Sequence, residues 1–315
     1  MSTIFRRKAL PIMLAGIAVA TLPALAQGIP QEGPVPTSAL IMVQSKNGAP
    51  LDPASLKLQV GHDVLPITSV RPVPPPAAQI AILIDDGLRF TFSSQLNEFA
   101  DFINALPPGA KVLVGYMQNG TVRGMSTFTA NHQAAAAQLR LPMMVAGING
   151  SPYFTLSEFS KHWPSNEPGA RFVLLVTNGI DPYNGRPSVL NQNSPYVQTA
   201  QDDAQRAGVA VYSIYFPQAG QRGAHGSFSG QSYLAQVGEA TGAQSYNIGT
   251  ITPPSLTPYL NEFGKAVASS YLVRFNANSA RVKRDTLIRI RLKTSQPGVK
   301  LNVPDNVHPG MDLQR

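Results

Sequence analysis

Gln79-Ile80-Ala81-Ile82-Leu83-Ile84-Asp85-Asp86-Gly87 runs five apolar residues without a break into two adjacent acids and a glycine. An unbroken apolar run suits a strand covered on both faces, as at the middle of a parallel sheet. Open α/β sheets hold their ligand sites just beyond the carboxyl ends of such strands. Asp85 and Asp86 are therefore the first candidates for function.

A second run of this kind, Arg171-Phe172-Val173-Leu174-Leu175-Val176-Thr177-Asn178-Gly179, is expected beside the first. Between and after them, strand and helix patterns alternate. Leu96, Phe99, Ile103 and Leu106 recur at helical spacing. Lys111–Met117 reads as a strand, and Asn119-Gly120 as a hairpin turn that returns Val122–Phe128 antiparallel at the sheet edge. Helices are expected over residues 131–139, 152–162, 196–207, 233–241 and 256–268, with Val209–Tyr215 as a further parallel strand. Gln218–Gly230 carries four glycines and reads as a mobile loop. The fold class is α/β, a doubly wound and mostly parallel sheet with one antiparallel edge strand.

The flanks differ. Residues 39–70 alternate as a small antiparallel β unit, and residues 71–77, Arg-Pro-Val-Pro-Pro-Pro-Ala, read as a stiff proline spacer. Residues 27–38 are Pro/Gly-rich and expected to be extended or mobile. The α/β domain is expected over 78–275, with residues 276–315 packing on the N-terminal β unit; the alternating stretches Ser270–Phe275, Thr286–Leu292 and Val299–Val303 could supply the strands that complete that unit. Residues 1–26 have a basic start at Arg6-Arg7-Lys8, an apolar stretch and Ala24-Leu25-Ala26. That is the pattern of a cleaved signal peptide, with cleavage after Ala26 and a secreted or periplasmic destination. No transmembrane helix is expected once it is removed.

The chain of 315 residues has 43% hydrophobic residues, a mean hydropathy of -0.04 and no cysteine. Disulfides, lipid-bearing cysteines and thiolate metal sites are thereby excluded. The formal charge of +8 includes the three basic residues of the leader. Much of the remaining base, Arg289, Arg291 and Lys293 for example, alternates as on a solvated strand face. No nucleic-acid-binding module accompanies it. None of the five histidines forms His-Glu-x-x-His. Gly226-Ser227-Phe228-Ser229-Gly230 places Phe228 where a nucleophile elbow needs serine, and there is no phosphate-binding loop. An envelope hydrolase using His225 and this loop is the one enzymatic alternative; the reading favoured is that the chain is not an enzyme.

The order of these elements resembles the von Willebrand factor type A domain, and more narrowly the bacterial secreted von Willebrand factor A-related proteins. The resemblance spans about residues 38–310. It rests on Asp85-Asp86-Gly87-Leu88-Arg89 at the place of that family's Asp-x-Ser-x-Ser, and on Thr177-Asn178-Gly179 at its Thr-Asp-Gly-like tip. Further support comes from Tyr212-Ser213-Ile214-Tyr215, Leu234–Ala243 and Ser269–Phe275, the last similar to a closing strand. The family implies a divalent cation at the sheet's carboxyl edge, held by aspartates, hydroxyls and water. Here Gly87 and Arg89 stand at the two hydroxyl positions, Asn178 replaces an acid, and Asn149 or Ser151 is all that the Gly-rich loop offers. An arginine ~4 Å from the cation would oppose it by a few kcal/mol even for one unit charge at an effective dielectric of 20. Arg89 is expected to pair with Asp85 or Asp86, or to point to solvent.

The resemblance thus implies an exported adhesion or protein-binding module with a degenerate metal site and no cofactor. Its expected rim is Asp85, Asp86, Arg89, Phe90, Asn149, Ser151, Asn178 and Asp181, facing a protein or cell-envelope component. The alternative keeps Mg²⁺ or Ca²⁺ on Asp85, Asp86 and Asp181.

Overall fold

The computed structural model describes residues 33–88, 90–143, 150–185, 188, 191–217, 224–249, 251–278 and 286–314. The expected signal peptide lies outside them. Four strands come first: β1 (Pro34–Ser45), β2 (Leu56–Val60), β3 (Asp63–Leu65) and β4 (Ile67–Pro72). The α/β run follows, as β5 (Ala78–Asp85), α1 (Leu96–Asn104), β6 (Lys111–Gln118), β7 (Thr121–Gly124), α2 (His132–Ala136), α3 (Pro152–Lys161), β8 (Ala170–Thr177), α4 (Pro195–Arg206), β9 (Val209–Tyr215), α5 (Ala224–Ala240), β10 (Ser245–Tyr246) and α6 (Thr257–Ala268). The chain ends with β11 (Ser270–Asn278), β12 (Ile288–Thr294), β13 (Val299–Asn302) and β14 (Asn306–Val307).

The central sheet has six strands in the order β10-β9-β8-β5-β6-β7, parallel except for β7. With the helices this is a mixed α/β architecture consistent with a Rossmann-like fold. The two apolar runs pair as expected, Ile80 opposite Phe172 and Ile84 opposite Val176. Successive residues of a strand face opposite sides. Ile80, Ile82 and Ile84 accordingly pack with Phe99 and Ile103 of α1 and Leu260 and Phe263 of α6. Ala81 and Leu83 pack with Tyr153 and Leu156 of α3, Ala200 of α4 and Leu234 of α5. The hairpin at Asn119 and Gly120 has φ of 47 and 76, as a two-residue turn between twisted strands requires. β7 is shorter than its apolar pattern suggested, and Thr129 returns to bridge Val112.

The flanking strands form two four-stranded sheets, β13-β1-β11-β4 and β14-β12-β2-β3. They enclose a third core of Ile41, Val43, Leu58, Val273, Phe275, Ile290 and others. Several placements have physical causes. Ser270–Phe275, whose alternation suits a strand completing the N-terminal β unit, lies between β1 and β4 and so takes that place; the domain boundary expected at 275 falls inside β11. Its alternating pattern serves a sheet that sits between two cores: Leu272 joins the first and Val273 the third. Residues 34–38, expected to be extended or mobile, begin β1. Pro34 and Pro36 are tolerated because β13 pairs only with Met42–Ser45, leaving this part of β1 bonded on one side. The proline spacer is likewise ordered, as the edge of β4 through Pro72 and a 3-10 turn at Pro75–Ala77.

The remaining difference is α5, which starts at Ala224 rather than near Tyr233. Glycine is poor in a helix interior, so the cluster reads as loop. Gly230 has a packing reason: a Cβ there would lie 2.1 Å from the Asn178 carbonyl oxygen, and one at Gly179 would lie 2.4 Å from that of Gly230. The helix can rest on the tip of β8 only because both side chains are absent. Gly230→Ala, which gains helix propensity, is therefore expected to destabilise the protein by about 1–3 kcal/mol, the usual cost of overpacking. Urea unfolding checks this; a neutral or stabilised variant would refute the close packing.

Candidate binding site at the carboxyl edge of the sheet

β5 delivers Asp85 to the carboxyl edge, buried beside the end of β8. Its Oδ2 accepts a hydrogen bond from Thr177 Oγ1 at 2.7 Å, and its Oδ1 accepts from the Gly87 N–H at 2.9 Å. Burial pushes its pKa up; the bonds from Thr177 and Gly87 offset this only in part, and the neighbouring Asp86 charge adds to the rise.

Asp86, wholly buried, is treated differently. Arg140 grips it through two nitrogens, Nη1 to Oδ1 at 2.6 Å and Nη2 to Oδ2 at 3.1 Å. The Met143 N–H donates to Oδ1 at 3.0 Å, and the Gln118 side-chain amide donates to Oδ2. Burial alone would raise this carboxyl, but Arg140, Met143 and Gln118 together outweigh it and hold the pKa below the usual range. Arg140 is itself fixed from β6. Its guanidinium carbon lies 3.8 Å from the centre of the Tyr116 ring, and its N–H donates to the Tyr116 hydroxyl at 2.6 Å. That hydroxyl donates on to the Arg140 carbonyl at 2.7 Å.

The other expected rim residues are also held from within. Asn178 Oδ1 accepts from the Ile180 N–H at 2.9 Å. Asp181 accepts from Ser194 Oγ at 2.7 Å and from the Tyr183 N–H at 3.2 Å. Ser151 caps α3, its hydroxyl accepting from the Tyr153 N–H at 3.3 Å. The Tyr153 hydroxyl then donates to the Gly179 carbonyl at 2.7 Å, tying α3 to the tip of β8. Arg89, Asn149 and the side chains of Phe90, His225 and Ser227 lie outside the described residues. Phe92, two residues beyond Phe90, is core: its ring sits 5.3 Å from Phe216 and 5.7 Å from Phe99.

The structure thus brings Asp85 to Thr177 and Asp86 to Arg140, while Asp181 belongs to a separate cluster with Ser194. Among the described residues no three acidic or histidine side chains are placed to share a metal ion. The sequence reading missed Arg140, Gln118 and Tyr116. Arg140 stands 54 positions from its partner, in a segment with no motif, so no local signal marks it.

No family model matches the chain, and no curated protein does. Among solved structures it is similar to BatB from Bacteroides thetaiotaomicron, at 10% identity over 61% of this chain and 97% of that one, with a TM-score of 0.42. It is also similar to the PilB minor pilin from Streptococcus sanguinis, at 11% identity over 65% and 63% with a TM-score of 0.43. The manganese-loaded TRAP protein of Plasmodium vivax matches at 11% identity over 76% and 98%, with a TM-score of 0.38. Likenesses this distant do not place the chain in a family.

The two acids are expected to respond oppositely to substitution. Asp86→Ala leaves Arg140 without its partner and should cost about 2–3 kcal/mol at pH 7, less than for a fully buried pair because Arg140 is partly exposed. A lowered carboxyl pKa means stability present above the unfolded value and lost as pH falls. The Asp86→Ala deficit should therefore shrink on acidification. Asp85, with its raised pKa, costs stability as pH climbs from the ordinary carboxylate range through its folded value. Asp85→Asn, nearly isosteric, should match or exceed the wild type in Tm at pH 7 and lose that advantage in acid. Thermal melts across pH test both signs.

Proposed function

We propose that this chain is an exported, non-enzymatic binding module built on a doubly wound von Willebrand factor A-like domain. It recognises a protein or envelope component through the loops at the carboxyl edge of the sheet, without a metal ion. The observation that carries this reading is the distribution of exposed apolar surface. Seven large apolar side chains are exposed among the described residues, and six of them belong to carboxyl-edge segments. Leu141 and Met143 flank the backbone that grips Asp86, Tyr183 follows β8, Phe228 lies in the first turns of α5, and Ile248 and Ile251 follow β10. Val64, in the β2–β3 hairpin, is the exception. Apolar side chains gathered on one edge favour a macromolecular partner, whereas scattered ones need no explanation.

Chemistry at the strand tips supports the metal-free part. A cation needs carboxylate oxygens with lone pairs to give. Those of Asp86 are taken by four bonds from Arg140, Met143 and Gln118, and each Asp85 oxygen already accepts one bond, from Thr177 or Gly87. Gly87 has no side-chain ligand to add. Acids bonded in this way serve as structural pins beneath the binding loops. The export assignment rests on the leader pattern of residues 1–26. No helix among the described residues is long and apolar enough to cross a membrane.

Affinity capture by residues 27–315 from the native envelope extract tests this, run with EDTA or with Mg²⁺ and Ca²⁺. A parallel capture uses the triple variant Tyr183→Ser, Phe228→Ser and Ile251→Ser, with its melting temperature checked. A partner retained in EDTA and lost from the triple variant is the expected result. Capture that requires a divalent ion, or that survives the triple substitution, would overturn the reading.

A further inference from the structure

Between the β13-β1-β11-β4 sheet and the carboxyl end of α6 lies a cavity of about 1050 Å³. It is distinct from the carboxyl-edge site: Gln244 precedes β10 and Pro72 precedes β5, so it opens toward the amino ends of the parallel strands. One wall is built from two paired strands and the turn between β1 and β2. Met42 stands opposite Asn302, and Gln44 opposite Lys300, and Lys46 opens the turn that follows β1. Met42 still packs in the first core. Beyond it the strands outrun the α/β layer, and Gln44, Lys46 and Lys300 are exposed. The facing wall is Glu262, Lys265, Ala266 and Ser269, and Tyr212 and Tyr271 complete the lining.

Two features ask for a ligand. The first is charge. Lys265 is paired with Glu262 at 2.8 Å, but Lys46 and Lys300 have no acidic partner among the described residues. The Lys46 N–H donates to the Gly298 carbonyl at 3.1 Å, two residues before Lys300, so the two flexible ammonium groups can close on one anion. The second is Tyr212, 1% exposed, whose hydroxyl has no hydrogen-bond partner among the described residues. Its ring is held by Phe263 at 5.0 Å and Tyr246 at 6.3 Å between centroids, so it does not swing out to water. A buried hydroxyl left unpaired costs about 1–3 kcal/mol. Burial also keeps this phenol protonated, a ready donor.

We propose that the cavity binds an acidic saccharide, a hydroxyl-rich ring bearing a carboxylate or phosphate. Lys46 and Lys300 take the anionic group. Gln44, Gln244 and Asn302 supply amides that both donate and accept, which suits ring hydroxyls better than an acyl chain. Tyr212 donates to an oxygen of the ligand, and the Tyr271 ring offers an apolar surface to the sugar's C–H face. The volume exceeds that of a single sugar and matches a short oligosaccharide.

Calorimetric titration of residues 27–315 at low salt provides the test. Trigalacturonate probes the carboxylate form, glucose 6-phosphate the phosphate form, and maltotriose is the neutral control. At least one acidic probe is expected to bind saturably and maltotriose is not. Lys46→Glu with Lys300→Glu should abolish that binding. Tyr212→Phe should weaken it up to about tenfold, the worth of one hydrogen bond, while leaving Tm unchanged or raised because a buried orphan hydroxyl is gone. A merely structural tyrosine would instead lower Tm and leave affinity alone. The proposal fails if neither acidic probe binds below about 10 mM, if maltotriose binds equally, or if Tyr212→Phe leaves affinity unchanged. The rim triple variant should bind the acidic probe as the wild type does, which separates this site from the carboxyl-edge one.

Discussion

The complete burial of β5 is the constraint from which the site follows. All eight of its residues are buried, with alternate side chains feeding cores on opposite faces of the sheet. A strand enclosed on both faces and by parallel neighbours on both edges brings no water to its end. The acids at its tip must therefore be satisfied by protein. An uncompensated buried carboxylate would cost several kcal/mol. Asp85 receives two neutral donors and is left with a raised pKa; Asp86 receives a guanidinium and two further N–H donors and is left with a lowered one. Adjacent residues with the same side chain are thus driven in opposite directions by what stands next to each.

That constraint also explains what the sequence could and could not disclose. Burial on two faces writes an unbroken apolar run, so β5, β8 and β9 were legible from composition alone, and Asn119-Gly120 announced its own turn. Gly226–Gly230 was not legible. Its glycines suggest a loop, whereas Gly230 is required by a contact with Asn178 that arises only once the helix is docked. Arg140 was invisible for a related reason. Sequence distance says nothing about which cation the Tyr116 ring will hold beside Asp86. The prolines of β1 indicated extended chain correctly, but not its pairing, since a strand bonded on one side accepts them.

The flanking strands do more than decorate the α/β layer. β1 turns Ile41 and Val43 into the sandwich core and Leu40 and Met42 into the core under β5. β11 repeats the arrangement with Val273 and Leu272. Near the carboxyl terminus, Asp312 accepts from Arg274 at 2.7 Å and from Ser38 at 2.9 Å, which joins the tail to both strands at once. A sheet whose two faces belong to different cores cannot separate from either without exposing apolar surface, at about 25 cal/mol for each Å². The sandwich and the α/β layer should therefore unfold together.

Rigidity of this kind bears on how the two ends of the molecule are used. The carboxyl-edge loops rest on pins bonded from within: Asp86 on Arg140, Asp181 on Ser194, and Tyr153 on the Gly179 carbonyl. A metal-ion site would couple binding to the ion's coordination, so the loops could respond to its arrival. Pins made of side chains alone hold the same backbone whether or not a partner is present. In the function proposed above, recognition falls to the shape and apolar character of the exposed side chains, Tyr183 stacked on Phe154 at 5.0 Å among them. At the amino end the opposite holds. There the strands overrun their core, and among the described residues Lys46 and Lys300 have no counter-charge and the buried Tyr212 hydroxyl has no partner, so the chemistry left open is polar. One scaffold thus presents a preformed apolar edge and an unsatisfied polar cleft, and the continuity of β1 through both cores keeps them in fixed relation.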